Sequence, residues 1–143
     1  MTNESLGHYA AKHGDAKPDE RIGTALKARA EGGSLACPAA EKLAAEQGVA
    51  MADIGRNADL LEIRINRCQL GLFGHSKEEK AVKPAREVIC SLETEIRRRL
   101  DEGRLPCAVA WEIAGLREMP RIDVAAACEK LGIKIKPCQL GAF

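Results

Sequence analysis

The residues best suited to chemistry in this chain are two cysteines and a histidine. Cys37 opens a predicted helix and Cys68 closes a predicted strand, so their thiols are expected to meet in the fold. The pair has three interpretations: a buried apolar contact, a disulfide, or half of a thiolate metal site completed by His75. None of the six cysteines forms a C-x-x-C pair. Because free cysteine is often buried, the sequence favours the apolar contact and predicts no cofactor.

Catalysis is not indicated. The chain has three histidines in 143 residues, and none stands with a serine or cysteine as a nucleophile–base set. The phosphate-binding patterns GxGxxG and GxxxxGK[ST] do not occur in the sequence. We therefore predict that the protein is not an enzyme. Cys37 and Cys107 open helices, where a thiolate is stabilised, so a thiol-based metal or redox sensor is a third interpretation.

Composition and charge restrict the possible partners. The formal net charge is +1 and no segment is strongly basic, which argues against binding nucleic acid by bulk electrostatics. No apolar run reaches the roughly 18 residues needed to span a bilayer, and the N-terminus lacks the apolar stretch of a secretory signal. The sequence predicts a cytoplasmic protein with reduced cysteines and no membrane contact.

The chain contains an internal repeat with an offset of 70 residues. CQLGLF at 68–73 recurs as CQLGAF at 138–143, and twelve positions are identical between 37–73 and 107–143. Such self-similarity indicates a duplicated structural unit. We predict four parts: a flexible N-terminal tail (1–19), repeat unit one (20–73), a linker leading into a helix (74–89) and repeat unit two (90–143).

Each repeat is predicted to contain three helices and a short strand, which makes the fold mainly α-helical. In the second repeat Leu92 and Ile96 lie four residues apart, and Pro84 suits the first turn of their helix. The strands are EIRINR at 62–67 and GIKIKP at 132–137, in which isoleucine alternates with polar residues.

A single strand has no evident partner within its own repeat. We expect the two strands to pair with each other, antiparallel, about a pseudo-two-fold axis, or else with a second chain. The protein would then be a monomeric pseudo-dimer or a homodimer. The CQLGxF phrases are expected to fold back over the helices, once per unit, with Gly71 and Gly141 making the bend.

The spacing of small and apolar residues resembles a helix-turn-helix. Ala44 permits a close helix crossing, Gly48 suits a positive-φ turn, and Ile54 holds the second helix to the first. The second repeat has Ala114 but places Glu118 where the turn glycine is expected. With a helix before and a strand after, each repeat resembles the winged-helix branch of the helix-turn-helix proteins, with CQLGxF as a signature of its own.

The resemblance implies that the second helix of each unit enters the DNA major groove. In the first repeat the groove-facing residues would be Met51, Ala52, Gly55, Arg56 and Asp59. Other cations suited to phosphates lie near a helix end and on the strands. The full set of candidate DNA-binding residues is Arg56, Asn57, Arg64, Arg97, Arg98, Arg99, Arg121, Lys134 and Lys136.

Two functions follow from these observations. The first is a small protein that binds double-stranded DNA and resembles transcription regulators. The alternative is a protein-interaction or dimerisation module that keeps the fold without DNA contacts. A continuous positive stripe on the surface would favour DNA, whereas scattered charge with an exposed apolar patch would favour a protein partner.

Overall fold

A computed structural model describes residues 9–75 and 81–143 of the protein. The described residues form six α-helices and one two-stranded parallel sheet, so the predicted mainly helical fold class is confirmed. The chain divides into two compact units. Unit one comprises the chain up to Cys68 together with Leu140–Phe143, and unit two comprises Gln69–Gln139. None of the described helices is long and apolar enough to cross a membrane.

Unit one contains three helices: α1 (Glu20–Arg29), α2 (Cys37–Gln47) and α3 (Met51–Leu60). The helices pack around fully buried side chains, among them Leu26, Leu43 and Ile54. A short turn separates α2 from α3, and its Gly48 has φ 65°. Glycine adopts this left-handed conformation without a Cβ penalty, so it ends α2 sharply and lets α3 cross it.

The sheet of unit one joins β1 (Ser34–Ala36) to β2 (Arg64–Asn66) in parallel, with Leu35 opposite Ile65. The predicted antiparallel pairing between the strands of the two repeats is therefore wrong, because β2 has its partner inside its own unit. A three-residue strand is too short to show an alternating pattern, which is why β1 was missed. The pseudo-two-fold relation stays a prediction.

Unit two contains α4 (Cys90–Arg98), α5 (Cys107–Leu116) and α6 (Arg121–Leu131). A parallel bridge joins Leu105 to Ile135. The predicted start of the first helix near Pro84 is wrong. The backbone before Cys90 is bonded elsewhere, since Val82 donates to the carbonyl of Gly71 and Ala85 to that of Ala126.

Part of the predicted tail packs on α3 as a short 3₁₀ helix, Tyr9–His13. The carboxylate of Glu62 accepts the N–H groups of Tyr9 and Ala10, both at 3.0 Å. Residues 1–8 of the predicted tail and 76–80 of the predicted linker lie outside the described residues.

Left-handed backbone recurs at positions 70 residues apart. In three of the five pairs one member is glutamate where the other is glycine, and a side chain in this region is strained. The pairs are Gly32 and Glu102, Gly33 and Gly103, Gly48 and Glu118, Glu62 and Gly132, and Gly71 and Gly141.

The CQLGxF phrases do fold over helices, with Leu70 and Leu140 buried. Their assignment differs from the prediction that each copy closes its own repeat. The last four residues, Leu140–Phe143, complete unit one, whereas the first copy from Gln69 onward belongs to unit two.

Candidate functional site

Part of the α3 face that is predicted to enter a DNA groove is covered by unit one itself. A Cβ built on Gly55 would lie 2.6 Å from the carbonyl carbon of Leu140. Asp59 is 8% exposed, and its Oδ2 lies 2.8 Å from His13 Nε2 and 3.1 Å from Lys12 Nζ. Gly55 and Asp59 are therefore covered, whereas Ala52 and Arg56 of the same predicted face are exposed.

The equivalent face of α6 is covered within unit two. Ala125 is fully buried, and a Cβ on Gly71 would lie 2.8 Å from Ile122 Cδ1. The carbonyl of Ala126 accepts the N–H of Ala85 at 3.0 Å. Part of the second helix of each unit is thus in contact with another segment of the same unit.

Two candidate base readers on α3 are engaged inside the protein. Arg56 Nη2 lies 3.3 Å from the carboxylate of Asp53 one turn earlier. Asn57 is 1% exposed; its amide donates to the carbonyl of Asp53 and accepts the N–H of Asp19 at 2.6 Å. Asn57 therefore fixes the start of α1 against α3 and does not lie on the surface predicted for it.

Three of the candidate arginines of unit two also have partners nearby. Arg97 bonds Glu93 at 2.8 Å and Arg99 bonds Glu112 at 2.9 Å. Arg121 donates to Gln69 Oε1 at 2.6 Å, and its guanidinium lies 3.7 Å from the centre of the Trp111 ring.

Four of the candidate cations are exposed and form no ion pair with any described residue. Arg64 lies on β2 of unit one, and Arg98 lies at the end of α4. Lys134 and Lys136 flank the bridging residue Ile135 in unit two. The charge on each unit is therefore scattered among neutralised pairs and isolated cations.

The metal-site interpretation gains no support. Cys37 and Cys68 are buried in unit one, and His75 is exposed in unit two. The described residues contain no group of three Cys, His, Asp or Glu side chains that would hold a metal ion. All six cysteines, each within the described parts of the chain, are thiols.

The most unusual surface lies at one end of unit two, where two large aliphatic side chains face solvent. Ile89 is 63% exposed and Leu116 is 67% exposed. Ile89 is the N-cap of α4, a position where it makes no side-chain cap hydrogen bond. Leu116 is the last residue of α5.

Unit one has acidic residues at both equivalent positions. Asp19, 70 residues before Ile89, is the N-cap of α1, and its carboxylate accepts the N–H of Ile22 at 3.0 Å. Glu46, 70 residues before Leu116, pairs with Arg29. A capping aspartate contributes about 1 kcal/mol relative to an aliphatic residue. Unit two therefore lacks a stabilising cap and exposes apolar area at the same place.

Arg117 joins the two helix ends that carry these side chains. Its guanidinium donates to Ser91 Oγ at 2.7 Å and to Glu95 Oε1 at 3.0 Å, both on α4. A cleft of about 580 Å³ lies beside this network. The residues that line it are Cys90, Ser91, Thr94, Glu95, Arg98, Arg99 and Arg117.

The cleft has an excess of positive charge. Of its three arginines, Arg117 is paired with Glu95 and Arg99 with Glu112. The exposed guanidinium of Arg98 has no ion-pair partner among the described residues, so one cation is left for an external carboxylate. Ile89 and Leu116 are chain neighbours of the lining residues Cys90 and Arg117. We call Ile89, Leu116 and this cleft the α4–α5 surface. No sequence signal singled it out, because Ile89 fitted the predicted helix interior.

Comparison of the chain with protein-family models, with curated proteins and with solved structures gave no match.

Proposed function

We propose that the protein is a protein-interaction module of two tandem helix-turn-helix-like units, and that it docks a partner on the α4–α5 surface. The observation that carries the proposal is the exchange of Asp19 and Glu46 in unit one for exposed Ile89 and Leu116 in unit two. Aliphatic side chains that are about two-thirds exposed bury little area within the unit, and a partner that covers both of them would remove that area from water.

The tandem relation is supported by hydrogen bonds at equivalent positions. Val49 donates to Ala44 in the first turn, and Met119 donates to Ala114 in the second, each at 3.0 Å. The contact between Arg117 and Ser91 also has a counterpart in unit one, where the arginine stands at the other position of the pair. Arg21, at the position of Ser91, donates to the carbonyl of Gln47, at the position of Arg117, at 3.4 Å. These equivalent hydrogen bonds support the treatment of Ile89 and Asp19 as equivalent positions in the two units.

The chemistry of the surface defines the partner. Apolar Ile89 and Leu116 favour an aliphatic or aromatic side chain, and the unpaired Arg98 favours a carboxylate beside it. The partner is therefore a protein segment in which an apolar residue is flanked by aspartate or glutamate. An exposed patch of mixed apolar and cationic character is typical of such transient contacts.

Selection from a random peptide library on the immobilised full-length protein tests the proposal. We expect enrichment of peptides with Leu, Ile or Phe between acidic residues. The Ile89→Asp/Leu116→Glu double variant, which carries the residues of unit one, should bind them at least tenfold more weakly. The matched control is Lys134→Glu/Lys136→Glu, which alters another exposed region and should bind normally. Failure to enrich any peptide, or equal binding to the double variant, would overturn the proposal.

DNA binding is the second candidate function, favoured by the exposed cations Arg64, Lys134 and Lys136. These residues lie on or beside the strands that follow each helix-turn-helix, so they suit phosphates better than bases. Fluorescence anisotropy of a labelled mixed-sequence duplex, titrated at low and at physiological salt, tests it. Binding that weakens with salt and is lost in Lys134→Glu/Lys136→Glu would support this candidate. Absence of binding at low salt would exclude it.

A further inference from the structure

Unit one contains a second concave feature, a pocket of about 210 Å³ formed by the 3₁₀ helix, α3, β2 and the last four residues. It has room for about seven groups of the size of a water molecule, at roughly 30 Å³ each. Much of its wall is apolar, and the side chains involved are Ile63, Ile65, Leu140 and Phe143. Its volume limits an occupant to a small molecule.

Tyr9 also lines this pocket and is 8% exposed. Its buried hydroxyl has no hydrogen-bond partner among the residues that the structure describes. An unsatisfied buried hydroxyl costs about 1–3 kcal/mol, and the large majority of buried polar groups have a partner. Burial raises the pKa of Tyr9, so the hydroxyl keeps its proton and remains a donor. This donor is therefore suited to an acceptor that the protein does not supply.

The charges around the pocket indicate which acceptor fits. The Asp59 carboxylate is compensated by Lys12 and lies within hydrogen-bond distance of His13, and Lys12 also donates to the carbonyl of Gly141 at 3.2 Å. Arg64 lines the same pocket, and its guanidinium has no ion pair within the described chain. Among the side chains that line the pocket, the positive charge left is that of Arg64, while the nearby Glu62 carboxylate accepts the N–H groups of Tyr9 and Ala10. A guanidinium binds a carboxylate well.

We propose that this pocket binds a small organic acid, with its carboxylate on Arg64 and the Tyr9 hydroxyl and its apolar body against Ile63 and Leu140. A neutral amide of the same shape gains the apolar contact but not the charge-assisted hydrogen bonds, so the site distinguishes the acid from the amide. The proposal concerns unit one and is independent of the α4–α5 surface.

Isothermal titration of the full-length protein with benzoate, phenylacetate and hexanoate, each beside its amide, tests the proposal. We expect at least one acid to bind and its amide to bind at least tenfold more weakly. Arg64→Gln should reduce the affinity for the acid at least tenfold. Lys134→Gln, at the equivalent position of unit two, is the matched control and should leave the affinity unchanged.

Tyr9→Phe separates a ligand-binding hydroxyl from a structural one. The variant should weaken acid binding several-fold, while the melting temperature of the ligand-free protein stays equal or rises because an unsatisfied group is removed. The proposal would be overturned by acids that fail to bind, by amides that bind equally well, or by a ligand-free Tyr9→Phe protein that melts markedly lower.

Discussion

Glu118 has the left-handed backbone conformation that Gly48 has 70 residues earlier, with φ 53° for Glu118 and 65° for Gly48. Gly48 is the C-cap of α2 and Glu118 follows the C-cap of α5, and both are followed by a residue that donates back to an alanine at 3.0 Å. The turn is thus the same with and without glycine. A glutamate in this conformation is strained, and it lies two residues after Leu116, next to the α4–α5 surface.

Glu118→Gly should therefore stabilise the protein. The exposed side chain forms no ion pair with described residues, and glycine removes its strain in the left-handed region, so we expect the free energy of unfolding to rise by about 1 kcal/mol. Urea unfolding measures the change. Gly48→Glu, the reverse exchange in unit one, should destabilise by a similar amount. A loss of stability in Glu118→Gly would show that the glutamate has a contact that offsets its strain.

Gly55 is required by close packing rather than by its backbone conformation. Alanine normally favours a helix over glycine by about 1 kcal/mol, but here its Cβ would overlap the backbone of Leu140. We expect Gly55→Ala to lower the free energy of unfolding by about 1–3 kcal/mol. The control is Gly115→Ala on α5, where no atom lies within 4 Å of the added Cβ, and which should stabilise. If both variants changed the free energy of unfolding in the same direction, the close packing of Gly55 against Leu140 would be contradicted.

The last four residues should stabilise unit one, although they belong to the second repeat in sequence. Deleting 140–143 uncovers Gly55 and one wall of the unit-one pocket. We expect Cys37 and Cys68, which are buried in unit one, to react faster with a thiol reagent. Cys128, buried in unit two, should react at its original rate. Mass spectrometry after timed labelling identifies the cysteines, and faster reaction of Cys128 alone would contradict the assignment.

Ionisation of Cys128 makes the free energy of unfolding depend on pH in the alkaline range. Burial raises its pKa from 9.0 to about 12, so the folded thiol stays neutral where the unfolded one ionises. Its stabilising contribution is complete below pH 9 and is lost as the pH rises through 9 to 12, by at most about 1.4 kcal/mol per pH unit. Urea unfolding at pH 8 and pH 10 should show a steeper decline in wild type than in Cys128→Ala. Parallel declines would mean that the thiol ionises equally in both states.

Ile89→Asp should stabilise α4 while it removes apolar area from the proposed docking surface. The new carboxylate would take the cap position that Asp19 holds in unit one, for a gain of about 1 kcal/mol in the free energy of unfolding. Thermal melting tests this change. A variant that melts lower would show that Ile89 stabilises unit two, and its exposure would then need no partner.

The sequence predicted the parts of the fold that depend on local patterns. Ala44, Gly48 and Ile54 indicated two helices joined by a tight turn, and the structure has both. The sequence did not predict β1, because a strand of three residues is too short to show an alternating pattern. The sequence also made Asn57 a candidate DNA-binding residue, since nothing local shows that its amide bonds Asp19, 38 residues away.

The candidate site was less predictable than the fold. The sequence offered cations, and the structure shows three of the six candidate arginines, Arg56, Arg97 and Arg99, paired with nearby carboxylates. The predicted helix that starts near Pro84 includes Ile89, and no sequence motif singles out Leu116. Only exposure distinguishes an apolar residue in the core from one on a surface, and exposure depends on contacts distant in sequence.

The most direct test of the account is the dissociation constant of an enriched acidic–apolar peptide for wild type and for Ile89→Asp/Leu116→Glu. Docking on the α4–α5 surface predicts that this dissociation constant rises at least tenfold in the double variant and does not rise in Lys134→Glu/Lys136→Glu. An unchanged constant in the first variant, or a tenfold increase only in the second, would contradict docking on the α4–α5 surface.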